Sequence, residues 1–207
     1  MFYETKTRGA HGMKHDPFKA LVAPRPIGWV STLDRDGVAN LAPFSFFNAV
    51  ADSPPMVMFA VNGANVDGPY KDTLENVMAT GEFVVNLATW ELRAEMNASS
   101  ANAHRQIDEF ELAGLQKAPS RLVKPPRVAA SPAALECTFH TAVMLPSIGP
   151  KARNTTVFGH VVGVHIRDDL IADGRVDIAK VQPIARLGYM DYAVVQPVDV
   201  FTMERPD

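Results

Sequence analysis

The chain of 207 residues carries a formal net charge of −3, a charged fraction of 21% and one cysteine. That length suits a single domain with a full hydrophobic core, spanning residues 1–207 and centred on about residues 20–195, and the mild acidic balance excludes a dedicated nucleic-acid binder, whose phosphate contacts need a basic face. Cys137 alone excludes an internal disulfide and a multi-cysteine metal site, and with no apolar leader and no apolar run of roughly 18 residues the expectation is a soluble cytoplasmic protein without a membrane partner.

The first element in chain order is a hairpin. "IGWVSTL" (27–33) and "VANLAPF" (38–44) are β-rich runs around the short acidic turn "DRDG" (34–37), which glycine closes. The stretch "FSFFN" follows, and its Phe46 and Phe47 suit a core. Ser45 and Asn48 beside them would cost roughly 1–3 kcal/mol each if buried without partners, so either they start a turn or they meet a polar ligand. A strand is expected over 55–61.

"KDTLENVMATG" (71–81) predicts a helix, with Asp72 as its cap, an apolar face of Leu74, Val77 and Met78, and Gly81 as its stop. "EFVVNLA" (82–88) returns to strand, 90–115 is helical or irregular, and the Pro-rich segment 117–132 is expected to run across the surface. Two long strands over 134–145 and 154–166 follow, the second with Gly159 and Gly163 suited to a bend or close approach. The tail carries a turn at Asp173 and Gly174, a short helical piece and a last strand. Successive hairpin-linked strands with few helices point to a mainly β, antiparallel barrel. Neither a dinucleotide-binding nor a phosphate-cradling glycine loop is present.

Candidate chemistry is sparse. Lys71 and Thr73 put a cation and a hydroxyl at a helix N-terminus, where a phosphate is stabilised, although Asp72 would repel one unless it caps the helix; a capped helix with a solvated lysine is the plainer account. Ser31 and Thr32 lie beside the same hairpin. Cys137 and His140 are three apart on a strand and so face opposite ways, and His160 and His165 do likewise unless a glycine bulge intervenes, which leaves no metal site. Arg186 and Tyr189 of "PIARLGYMDY" either reach a ligand or pin the tail.

Taken in order, "APRPIGWVSTLDRDGVANLAPFSFFNAVADSPPMVMFAV", "KDTLENVMATGEFVVNLA", "MNASSA", "DEFELAGL", "PRVAASPAALEC" and "PIARLGYMDY" resemble the flavin reductase-like, FMN-binding split-barrel family, most closely its flavoredoxin-type branch. The resemblance covers about residues 20–195. It implies a six-stranded Greek-key split barrel with flanking helices, a homodimer, and FMN near the subunit interface. By the same matching, Ser45, Phe46, Phe47 and Asn48 would line the flavin, and Ser31, Thr32, Lys71 and Thr73 would surround its phosphate or ribityl chain. Asn97, Ser99 and Arg186 match further motifs of the family. The implied activity is an FMN-dependent oxidoreductase: NADH or NADPH passes hydride to the flavin, and electrons go on to free flavin, ferric iron or a partner protein. No side chain need act as catalytic acid or base. A split-barrel oxidase related to pyridoxamine-phosphate oxidases and a non-catalytic flavin-binding module stay open.

Overall fold

The computed structural model describes residues 1–6, 9–66, 68–148 and 153–206. Seven antiparallel strands form the main sheet: β1 Gly28–Leu33, β2 Ala39–Phe44, β3 Phe47–Asp52, β4 Pro55–Asn62, β5 Glu82–Leu87, β6 Ala133–Leu145 and β7 Asn154–Ile166. Their order across the sheet is β2-β1-β5-β6-β7-β4-β3. The two outermost strands, β2 and β3, are consecutive in sequence and joined only by Ser45 and Phe46. A sheet whose opposite edges are tied by two residues has to curl until they meet. The Ala60 amide donates to the Phe46 carbonyl at 2.8 Å and anchors this seam.

The family resemblance implies six strands. The seventh is β3, in the stretch where the sequence points to a turn or a polar site, and it forms because the chain at the Ser45–Phe46 corner leaves one edge of the sheet and joins the other.

Strand β1 is buried along nearly its whole length because both its faces are covered. Val30 points inward with Val57, Phe59, Val61, Phe83, Val85, Cys137 and Val157, and Leu74 and Val77 of the helix Asp72–Thr80 complete that core. Trp29, fully buried, points outward and packs with Leu41, Met96, Phe110, Val128 and Ile184. Aromatic burial on this scale is worth on the order of 3–5 kcal/mol on truncation.

The expected glycine irregularities are present: the β6–β7 register shifts between Phe158 and Gly159 and again between Val161 and Gly163. Gly159 is there for space. A Cβ at this position would stand 2.4 Å from the Phe83 ring and 3.0 Å from the Thr138 carbonyl, whereas at Gly163 the nearest contacts are 3.4 Å. Gly159→Ala is therefore expected to lower stability by about 2–3 kcal/mol and Gly163→Ala by well under that, read from denaturant midpoints at constant slope.

Two expectations change. Lys71, in extended conformation, occupies the position preceding the helix Asp72–Thr80, and no side chain caps it; the Asp72 carboxylate accepts from Asn65 Nδ2 instead. The segment 117–132 is a cover rather than a surface excursion, since Val123 and Val128 are buried. Polar groups on the barrel's outer face satisfy its backbone. Ser31 Oγ donates to the Pro126 carbonyl at 2.6 Å, Asn86 Oδ1 accepts from the Val128 amide at 2.8 Å, and the buried Glu136 carboxylate accepts from the amides of Arg121, Leu122 and Val123 at 2.7, 2.6 and 3.2 Å.

Candidate functional site

A cleft of about 280 Å³ opens at the barrel seam. One wall is the corner itself, Ala42 to Phe46, with Ala60 and Asn62 of β4 beside it. The opposite wall is the start of the helix Asp72–Thr80, with Lys71, Asp72 and Thr73, and the segment from Ser99 to Ala103. Asn40 and Glu109 also line it. The curl of the sheet places the corner, and the crossing from β4 to β5 places the helix. Lys19 approaches from the N-terminal helix Phe18–Leu21, its ammonium 6.0 Å from the Phe46 ring centre, and Arg25 stacks on the same ring at 5.8 Å. The Arg25 guanidinium donates to the carbonyls of Lys19, Val22 and Leu187, tying that helix and the C-terminal turn to the cleft wall.

The buried polar groups near the cleft form one connected network. Asn40 Nδ2 donates to both Glu109 oxygens at 3.0 Å, and the Leu41 amide donates to Glu109 Oε2 at 2.9 Å. Asn40 Oδ1 accepts from Thr73 Oγ1 at 2.6 Å and from Thr32 Oγ1 at 3.4 Å. Thr32 in turn accepts from Asn76 Nδ2 at 3.0 Å, and Asn76 Oδ1 accepts from Arg105 at 3.4 Å. Burial pushes the Glu109 carboxyl up from its ordinary range, against the pull of the Leu41 amide and Asn40, and nearby Asp72 adds to the rise.

Of the residues singled out in the sequence, Ser45, Phe46, Lys71, Thr73 and Ser99 come together in this cleft. Lys71 Nζ donates to Asn102 Oδ1 at 2.9 Å. The Ser99 side chain is committed elsewhere: its Oγ accepts from Trp29 Nε1 and donates to the Met96 carbonyl, both at 2.9 Å. Thr32 sits behind the cleft in the network just described. Ser31, Phe47, Asn48, Asn97 and Arg186 lie apart from it. Ser31 holds the 117–132 cover, and Phe47 packs in the inner core so closely that a Cβ on Gly28 would meet its ring at 2.7 Å. Asn48 is exposed on the edge strand β3. Asn97 borders a separate apolar hollow with Trp90 and Tyr192, and Arg186 donates to the Tyr192 hydroxyl.

Sequence reasoning gave no role to Asn40, Glu109, Lys19, Asn65 or Asn102. Asn40 and Glu109 stood inside quoted motifs, "VANLAPF" and "DEFELAGL". A carboxylate directly before a buried Phe110 was the available signal, but its partner is 69 residues away.

Cys137 points into the core and burial pushes its thiol well up, which makes it inert, while His140 on the outer face meets His160 at 3.1 Å. Among the described residues no three His, Cys, Asp or Glu side chains are placed to hold a metal ion, and no helix is long and apolar enough to cross a membrane.

Similarity to known proteins agrees with this architecture. A protein of Aquifex aeolicus (strain VF5), itself uncharacterized, is 39% identical over 169 residues, 81% of this chain and 83% of its own length. The crystal structure of nitrilotriacetate monooxygenase component B from Bacillus cereus superposes with a TM-score of 0.86 at 29% identity, covering 98% of each chain. Flavoredoxin of Desulfovibrio vulgaris (Miyazaki F) shares the fold, with a TM-score of 0.73 at 22% identity over 93% of this chain and 97% of its own. The family described as flavin reductase like domain matches residues 21–191, which take in every main strand and all of the cleft lining except Lys19. A mainly β split barrel with its cleft at the seam, matched over that span, makes the chain a member of the flavin reductase-like domain family.

Proposed function

We propose that this flavin-related oxidoreductase is an FMN-dependent reductase that takes electrons from NADH or NADPH and delivers them to free flavin, ferric iron or a partner protein, working as a cytoplasmic homodimer. The observation that carries the reading is the seam cleft, where aromatic, amide, hydroxyl and ammonium groups converge on one concave surface. These residues fit a flavin. Phe44 and Phe46 offer apolar surface to a flat ring, Asn62 and Asn65 offer amide edges, and Lys71 and Lys19 offer positive charge to a phosphate. A bound flavin supplies a ring that accepts hydride from a reduced nicotinamide and passes the electrons onward. The chain's own task is then to orient that ring, exclude water from one face and balance the charge. No side chain is assigned proton transfer.

The homodimer is supported by what the single chain leaves uncovered. At about 280 Å³ the cleft falls just short of the roughly 300–1,000 Å³ that encloses a drug-sized ligand, so FMN would project from it toward a second wall. Strand β3 is exposed from Asn48 to Asp52 on a sheet edge, and Val143, Met144 and Leu145 are exposed on β6.

The test is the visible spectrum of the purified protein with and without FMN, followed by anaerobic NADH and NADPH, with the mass of the flavin-loaded species measured alongside. Flavin bands that bleach with a nicotinamide, on a particle of two chains, are expected. Bleaching by an amine substrate instead would point to the oxidase, bleaching by neither to a binding module, and a protein that takes up no FMN would end the flavin reading.

A further inference from the structure

A second concave surface shares no lining residue with the seam cleft. This hollow of about 290 Å³ lies between the helix Arg93–Ala98, with Trp90 just ahead of it, and the hairpin of strands Ile184–Arg186 and Tyr192–Val194. Met96, Ile184 and Val194 give it an apolar lining, and Trp90 and Tyr192, 48% and 40% exposed, border it as large rings that the fold leaves unburied. An apolar cavity of about 150 Å³ takes up benzene, so this one has room for a substituted ring or two fused rings.

Each ring carries a guanidinium. Arg93 stacks on Trp90 with its Cζ 3.9 Å from the ring centre, and Arg186 on Tyr192 at 4.5 Å. Arg186 and Tyr192 are cross-strand partners, and Ile184 and Val194 are the next pair on the same face of the hairpin, so rim and lining stand together. What the guanidiniums lack is an acid. Arg93 Nη1 donates to the Trp90 carbonyl at 2.6 Å, and Arg186 donates to the Tyr192 hydroxyl and the Tyr189 carbonyl, all of them neutral. Among the described residues neither enters an ion pair, whereas Arg105, Lys117, Arg167 and Lys180 each meet a carboxylate. Arg186 also stands directly opposite Arg25 in the strand ladder, a like-charge pairing that costs stability. Burial and then the Arg186 charge lower the Arg25 guanidinium from its ordinary value, and the three acceptors of Arg25 are neutral carbonyls as well.

We propose that this hollow is a second ligand site, which takes an aromatic carboxylate of one or two rings: the ring lies on the apolar lining beside Trp90 and Tyr192, and the carboxylate accepts the unspent N–H groups of Arg93 and Arg186. Planarity serves both contacts. The exposed rings offer faces and edges to another ring, and a guanidinium fork matches the two oxygens of a carboxylate. The arriving negative charge also offsets the repulsion between Arg186 and Arg25. No flavin contact enters this site, so it stands or falls apart from the function proposed above.

Binding of 1-naphthoate to the full-length protein, set against the neutral 1-naphthamide and the non-aromatic cyclohexanecarboxylate, tests the site. The chain has two tryptophans, and Trp29 is fully buried with its indole N–H held by Ser99, so the indole signal of Trp90 reports on the hollow by NMR. Naphthoate is expected to move that signal to saturation, with naphthamide and cyclohexanecarboxylate each weaker by about ten-fold or more. Replacement of both arginines, Arg93→Gln with Arg186→Gln, is expected to weaken naphthoate by about ten-fold or more and to leave naphthamide within about two-fold. The wild-type comparison decides without the variant. Equal affinity for naphthoate and naphthamide, or no saturation by naphthoate below about 10 mM, overturns the proposal. A Trp90 signal that shifts with protein concentration and not with naphthoate shows a second copy of the chain on the hollow instead, and overturns it as well.

Discussion

Glu136→Ala is expected to destabilise the protein by about 3 kcal/mol and to make the 117–132 segment sensitive to protease. The Glu136 side chain is buried to 1% exposure on the outer face of the barrel, where it accepts three backbone amides and meets His165. Burial alone would raise this carboxyl. The His165 ring and the amides of Arg121, Leu122 and Val123 outweigh it and hold the group at about 2. A carboxyl depressed in the folded chain stabilises above its unfolded value of roughly 4.3 and loses that contribution as pH falls toward the folded value. The stability gap between wild type and Glu136→Ala should thus be full at neutral pH, shrink below roughly pH 4.3 and be small near pH 2. Denaturant titrations at several pH values measure it. A gap under about 1 kcal/mol at neutral pH, with unchanged proteolysis, would show that the cover is held by its apolar contacts alone.

The second large effect is on ligand choice. Lys71→Ala should weaken FMN by about 10- to 100-fold while leaving riboflavin within about two-fold of wild type, because a charged hydrogen bond to phosphate is worth roughly 1.5–3 kcal/mol and riboflavin has no phosphate to lose. Lys71 is half-buried at the cleft wall, immediately before the helix Asp72–Thr80, and its ammonium donates to the neutral Asn102 Oδ1. Its removal leaves the core intact. Equal losses for the two flavins would mean that the lysine shapes the wall and does not bind phosphate, and would move the anion toward Lys19.

Much of the scaffold could be read directly from the sequence because it rests on neighbours. The β-rich runs "GWVSTL" and "ANLAPF" around an Asp–Gly turn specify β1 and β2, and Gly81, with φ of 76°, ends the helix as its position predicts. Gly159 and Gly163 marked the irregular ladder of β7. These features depend on residues within a few positions of one another, and backbone sterics and periodicity are sufficient to define them.

The polar residues of the site obey another logic. Ser31 and Thr32 are adjacent hydroxyls in one strand, and the resemblance sends both to the flavin, yet the strand puts them on opposite faces, where Ser31 holds the Pro126 carbonyl and Thr32 joins Asn40. Asn40 finds Glu109 across 69 residues, Ser31 finds Pro126 across 95, and Arg25 finds Leu187 across 162. A hydrogen-bond donor in sequence has no mark that says which acceptor the closed barrel will bring to it. So the sequence by itself determined the strands, the helix, the glycine positions and the family pattern, through local sterics and the periodic burial of apolar side chains. Only the tertiary structure decided that the seam is the cleft, that Glu109 belongs to it, and that the Thr73 hydroxyl is tied to Asn40, because those facts arise where distant segments meet and each buried polar group must find a partner.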